Sequence, residues 1–246
     1  DASTSADATS SALGIYTSSA NTSQLIELNT ISGLVTNGST GGTAATTTQG
    51  IIVTSATSVG TISRNRIHGL INTSTASNGD IFGIHVFLGA WNVYNNQVTL
   101  NQNTNGVRSV GIFDSSSTTA RNASFIYNSV YLTGTDGGAN NSYGFLRSNN
   151  ASTVTLRDNF FYNQRTGGSG FHYAIGNNAA TPATGWSSSA SNFNMFISAD
   201  ASRLGEWGAG TGVNFTDWKI SSAGGDFASL SFTSASIPST LFSNTS

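Results

Sequence analysis

The chain has 246 residues, only 8% of them charged, and a net charge of −2; with no basic stripe, neither nucleic acid nor an anionic membrane surface is an expected partner. It has no cysteine, which excludes a disulfide framework and thiolate metal sites, and no apolar run long enough for membrane insertion. Its polar surface must come from Ser, Thr, Asn and Gly, which suit turns and stacked strands better than solvated helices.

In chain order, the predicted elements repeat. A strand opens on a glycine and an apolar residue at Gly14-Ile15, Gly50-Ile51, Gly83-Ile84, Gly111-Ile112 and Gly144-Phe145. A second short strand follows, carrying Ile26, Ile62, Val93, Phe125 or Leu156. Three residues later stands an asparagine (Asn29, Asn65, Asn96, Asn128, Asn159), and two residues beyond it the apolar residue of a third strand: Ile31, Ile67, Val98, Val130, Phe161. Asn194 with Phe196 is a sixth copy. Successive asparagines are 36, 31, 32, 31 and 35 residues apart. Brief alternation of period two, broken by Gly, Asn and Ser, predicts strands rather than helices. Two markers in phase at this period predict a solenoid, with variable stretches such as 43–50 and 101–109 as loops.

An asparagine at one coil position has a physical purpose. Turned inward at a bend, its amide donates to and accepts from the same amide one coil away, about 4.8 Å distant. A buried polar group is tolerated when paired, and a ladder pairs all but its end members. Asn also tolerates left-handed backbone angles, which suits it to the bend. The residues one before, one after and three after each asparagine vary freely and are expected to face outward.

The segments 61–67, 91–98, 123–130 and 153–161 resemble the short repeat of right-handed parallel β-helices of the pectate-lyase-like superfamily, in which an aliphatic strand turns at an asparagine. The resemblance covers roughly residues 10–198 and implies an all-β, single-stranded right-handed parallel β-helix of about six or seven coils. Residues 1–198 are read as coils and 199–246 as a C-terminal cap with the final coil. The tail, with Trp207, Trp218 and Asp226, looks like the closing section of β-helix modules in large secreted or surface proteins of Bacteroidetes-type bacteria. Residues 214–221 are expected to form a short helical turn capped by Asn214 or Thr216, with Trp218 packed on the last coil.

Relatives of such folds often cleave acidic polysaccharides, using a base with Ca²⁺-binding carboxylates or paired carboxylates. This chain has 11 Asp and Glu, and no two share a coil position in adjacent coils. Asp114 and Arg147 both stand third after the strand glycine and predict an outward cross-strand ion pair of little energetic weight. His68, His85 and His172 fall at different coil positions and read as solvated surface residues, not metal ligands; no metal or cofactor is expected. Three residues after the asparagine, His68, Thr99, Tyr131 and Tyr162 form a column which, with Phe160, would make an aromatic platform for sugar rings unless a loop covers it. The expected function is a non-catalytic structural or adhesive module, secreted or displayed on a cell surface, part of a longer chain or assembly, with extracellular polysaccharide as partner. A polysaccharide lyase or glycoside hydrolase is the alternative, favoured by an inward Asp114 or by its clustering with Glu27 or Asp158, whereas dispersal of these carboxyls over separate faces favours the scaffold. Threonine-rich stretches suggest an ice-binding surface, a third reading that lacks a regular outward threonine column.

Overall fold

A computed structural model describes residues 11–36, 46–75, 79–119, 121–151, 153–186 and 191–233. They form a parallel β-solenoid of about 6 turns. Each full coil supplies one strand to each of three long sheets. The first sheet holds the glycine strands: Ser11–Thr17, Thr46–Val53, Gly79–Val86, Val107–Asp114, Ser142–Arg147, His172–Asn177, Gly205–Trp207 and, antiparallel, Gly212–Val213. The second runs from Gln24–Glu27 through Val59–Ser63, Ala90–Tyr94, Asn122–Ile126 and Thr153–Arg157 to Ser191–Asn192. The third runs from Thr30–Ile31 through Arg66–Ile67, Gln97–Leu100, Ser129–Leu132, Phe160–Asn163 and Met195–Ser198 to Leu230–Thr233. The winding thus continues past Ser198.

Like stacks on like. Ile26, Ile62, Val93, Phe125 and Leu156 are register partners in the second sheet. Ile31, Ile67, Val98, Val130, Phe161 and Phe196 are partners in the third. The first half of the core is mostly β-branched. The second is aromatic, with ring centroids 5.1 Å apart for Phe125–Phe145, 5.7 Å for Phe145–Phe161 and 6.2 Å for Phe161–Phe196.

The glycine and asparagine markers are two sides of one contact. A Cβ on Gly14 would stand 2.6 Å from Ile31 Cγ2, and one on Gly50 2.6 Å from Ile67 Cγ2. Each glycine therefore leaves room for the side chain two residues after the asparagine. Gly111 meets Val130 in the same way, and a Cβ there would also lie 2.7 Å from Gly144 O. Overpacking of this kind costs about 1–3 kcal/mol, so Gly111→Ala is expected to lower the urea midpoint accordingly. Val130→Ala should recover part of that loss by removing the side-chain half of the clash; an unchanged midpoint in Gly111→Ala would refute the contact.

The amide ladder is present in full. Nδ2 of each asparagine donates to Oδ1 of the next, at 2.9 Å for Asn29 to Asn65, 2.9 Å for Asn65 to Asn96, 3.0 Å for Asn96 to Asn128, 3.1 Å for Asn128 to Asn159 and 3.0 Å for Asn159 to Asn194. The same Oδ1 also accepts the preceding asparagine's backbone N–H, as Asn128 Oδ1 does from Asn96 at 3.1 Å. Nδ2 donates backward too, from Asn128 to Val93 O at 2.9 Å. One expectation needs correcting. The left-handed residue is not the asparagine but the one before it: Leu28, Arg64, Asn95, Tyr127, Asp158 and Phe193 have φ of 54–59°. The bend belongs to that preceding residue, and the asparagine after it directs its amide inward.

The ladder has a direction, and its C-terminal end is closed. Asn194 N–H donates to Ser229 Oγ at 2.8 Å, and its Nδ2 to Asp226 Oδ1 at 3.0 Å. Ser229 and Asp226 together replace the missing seventh amide oxygen. The buried Asp226 carboxyl also accepts from both Ser191 and Ser229 hydroxyls and from Trp218 Nε1 at 2.9 Å. Trp218 lies on the helix Phe215–Ser221, whose N-cap is Asn214, accepting from Asp217 N–H at 3.0 Å. A Cβ on Gly205 would lie 2.7 Å from the Trp218 ring. The indole thus fills the space over Gly205, and Trp207 and Trp186 meet it edge-on at 5.1 and 5.7 Å.

Candidate functional site

The outward face of the third sheet changes character along the solenoid. One column reads Thr30, Arg66, Gln97, Ser129, Phe160, Met195, Leu230; its neighbour reads Thr99, Tyr131, Tyr162, Ile197, Phe232. Early coils are polar and late coils aromatic or aliphatic. The Tyr131 and Tyr162 rings meet at a tilt of 45° with centroids 5.0 Å apart, and Phe160 meets Tyr162 edge-on at 6.2 Å. Tyr131 and Phe160 are half-buried, as is His68 farther up the face. Tyr162, however, is 3% exposed and Ile197 fully buried, whereas Leu230 is 53% and Phe232 40% exposed. Tyr162 therefore supports the platform from within rather than offering its own face. Burial raises the pKa of both tyrosines. The sequence pointed to Tyr131, Phe160 and Tyr162 but not to Met195, although it directly follows Asn194, and it missed Leu230 and Phe232 because the last coil carries a serine, not an asparagine, at the ladder position.

Asp114 and Arg147 are register partners as expected, but they are neither outward nor an exposed pair. Asp114 lies in the column of Val53 and Val86, both central core residues. It is 1% and Arg147 0% exposed. The carboxylate is bonded by Arg121, seven residues on, and accepts Ser116 N–H. Arg147 donates to Asn177 Oδ1 at 3.3 Å and Thr184 O at 2.9 Å. Burial raises the Asp114 pKa against the opposing pull of Arg121. The physical reason for the difference is the glycine: it shifts the alternation, so the third residue after it faces inward. A carboxyl caged in this way by its own chain is out of reach of a polysaccharide.

His85 also departs from expectation. It is 6% exposed, on the outer face of the first sheet. Nδ1 faces Gln49 Oε1 at 3.0 Å and Nε2 faces Ser115 Oγ at 2.8 Å. Its ring stacks on Phe113 at 4.7 Å. It belongs to an outer layer that sequence reasoning missed: Phe82, Val110, Phe113, Tyr143, Leu146 and Tyr173 form a second apolar cluster, with Arg108 over Phe82 and Phe113. The signal was available in the residues one before and two after each glycine. Burial lowers the His85 pKa to about 3 from the usual 6.5. The unfolded chain therefore takes up this proton before the native one does. Stability from this site is complete above about pH 6.5 and falls by up to about 1.4 kcal/mol per pH unit toward pH 3. Urea midpoints between pH 7.5 and 4.5 should fall less steeply in His85→Phe than in the parent; parallel curves would refute the assignment. His172 is half-buried, faces Ser142 Oγ at 2.9 Å and Gly167 O at 3.1 Å, and is also shifted down by burial.

The remaining described carboxyls are largely held by their own chain. Asp80 forms a two-pronged bond with Arg108, Glu27 pairs with Arg64, and Asp136 accepts Gly106 N–H and the Thr104 hydroxyl. Glu206 accepts the Tyr143 hydroxyl at 2.8 Å. Asp158 is exposed. Asp1, Asp7 and residues 43–45, the start of a threonine-containing stretch, lie outside the described residues. Among the described residues no three His, Asp or Glu side chains converge as metal ligands, and no helix is long and apolar enough to cross a membrane. No protein-family model, curated protein or solved structure matches this chain.

Proposed function

We propose that this chain is a non-catalytic, rigid module of a secreted or cell-surface bacterial protein, and that it binds glycans along the late coils of its third sheet. Its β-helix is taken to be right-handed and of the pectate-lyase-like kind, as its repeat segments suggest. The observation that carries the proposal is the graded outward face, from Thr30, Arg66 and Gln97 to Phe160, Met195 and Leu230. An apolar patch at one end of a sheet face that is polar at the other marks an interaction site, and ring faces at strand spacing suit the CH faces of sugars. The caged carboxyls favour binding over cleavage, since Asp80, Asp114, Glu206 and Asp226 already serve intramolecular bonds.

A glycan array run beside a reducing-sugar release assay tests this. Binding without turnover, weakened when Tyr131→Ala and Phe160→Ala are combined, is the expected result. Release of reducing sugar would overturn the non-catalytic part in favour of a lyase or hydrolase. Binding indifferent to both substitutions would overturn the placement.

A further inference from the structure

Most of the nine cationic side chains are committed. Arg64, Arg108 and Arg121 pair with Glu27, Asp80 and Asp114. The buried Arg165 donates to Gln102 O at 2.7 Å, Thr133 O at 3.1 Å and Thr104 Oγ1 at 2.6 Å, stapling neighbouring coils together. Arg203 differs. Its guanidinium carbon stands 3.9 Å from the Phe171 ring centroid, and among the described residues its side chain has no hydrogen-bond or acidic partner.

Both residues line a cleft of about 210 Å³ with Arg165, Thr166, His172 and Asp200. It sits at the corner where the third sheet hands over to the first. Arg165 and Thr166 follow Phe160–Asn163, Phe171 precedes His172–Asn177, and Arg203 ends the 3₁₀ turn Ala201–Arg203. Asp200, the one carboxylate among the lining residues, forms no ion pair with Arg203; its Oδ1 accepts Ser202 N–H at 2.9 Å and the Ser202 hydroxyl at 2.6 Å. His172 adds no positive charge at neutral pH, since burial lowers its pKa. The Arg203 guanidinium therefore keeps its N–H edge open toward the cleft, and Phe171, 39% exposed, gives it an aromatic wall.

A guanidinium lying on a ring keeps its N–H edge available for two parallel bonds to an oxyanion. We propose that this cleft binds a single sugar unit bearing an oxyanion, a carboxylate or a sulfate, with Arg203 forking the anion and Phe171 packing against the ring. This rests on the glycan-binding reading above and gives it a second contact with a defined charge preference. The neutral amides and hydroxyls that dominate the rest of the surface offer no comparable grip on an anion.

The test is a calorimetric titration of the whole chain with glucuronate, glucose 6-sulfate and glucose. Saturable binding of at least one acidic sugar is expected, with glucose about tenfold weaker or undetected, as befits the loss of a charge-assisted bond. Preference between the two acidic sugars assigns the anion. Arg203→Gln should weaken acidic-sugar binding about tenfold, and Phe171→Leu should weaken it less, both with unchanged thermal midpoints. Equal affinity for glucose, indifference to Arg203→Gln, or no saturable binding of either acidic sugar overturns the proposal. A chain that binds neutral glycans through Tyr131 and Phe160 but ignores both acidic sugars would end this inference alone; a chain that binds no glycan at all would end the functional reading as well.

Discussion

Asn128→Asp is expected to destabilise the chain by about 4 kcal/mol at neutral pH, more than the about 3 kcal/mol expected of Asn128→Ala. The two substitutions remove different things. In the native chain Asn128 Oδ1 accepts from Asn96 N–H and Nδ2, while its own Nδ2 donates to Val93 O, Ile126 O and Asn159 Oδ1. Alanine deprives the Asn96 backbone N–H of its acceptor inside a coil where Asn96 is 1% exposed. Aspartate keeps that acceptor but turns the other oxygen on three acceptors, with no cation beside it. An ionised carboxylate there is penalised, so its proton is held more tightly in the folded state. The defect should therefore grow as pH rises through the carboxylate range and shrink below it. Urea unfolding at pH 4 and pH 7 separates the cases: Asn128→Ala should show a similar defect at both, Asn128→Asp a larger one at pH 7. Near-native midpoints for both variants would mean that the ladder is incidental to stability. Asn29→Ala is the control, since Asn29 is half-buried at the start of the column and, among the described residues, no amide donates to its Oδ1.

The winding, the strand positions and the ladder were legible in the sequence because a solenoid repeats one local decision. Each coil needs a small residue under a branched or aromatic one, and an amide at the bend; Gly50 with Ile67 and Gly111 with Val130 record that decision in the chain itself. What was not legible depended on breaks in the repeat. The glycine alters the alternation of its strand, so Asp114 turns inward although simple counting put it outside. Arg121, its real partner, comes from the loop that follows, where no period guides the eye. His85 looked isolated because its neighbours belong to the two flanking coils, Gln49 on one side and Phe113 and Ser115 on the other. The candidate binding surfaces were legible to a lesser degree. Tyr131, Phe160 and Tyr162 fell on one column, but their extension to Leu230 and Phe232 needed the register of the last coil. The stacking of Arg203 on Phe171 joins two loops that share no periodic signal.

Trp218→Ala is expected to cost about 3–5 kcal/mol locally, and the damage should stay at one end. The indole is fully buried among Trp186, Trp207 and Phe196, and its N–H donates to the buried Asp226. Its removal opens a cavity over Gly205 and takes one donor from the carboxyl that closes the ladder. Asp226→Ala acts on the same structure from the polar side, leaving Asn194 Nδ2 and the Trp218 indole N–H without that acceptor. In a solenoid each coil touches only its neighbours, so stability is close to a sum of coil and interface contributions. Loss of the cap should therefore fray Met195–Ser198, Gly205–Trp207 and Leu230–Thr233 while the coils around Val93, Val130 and Phe145 hold. Hydrogen exchange can read this directly: amides of residues 191–233 should lose protection in Trp218→Ala, and those of 90–132 should keep it. Uniform loss of protection along the chain would show instead that the molecule unfolds as a single cooperative unit. Unchanged protection at residues 191–233 would show that the tryptophan merely covers an end already closed by Asp226 and Ser229.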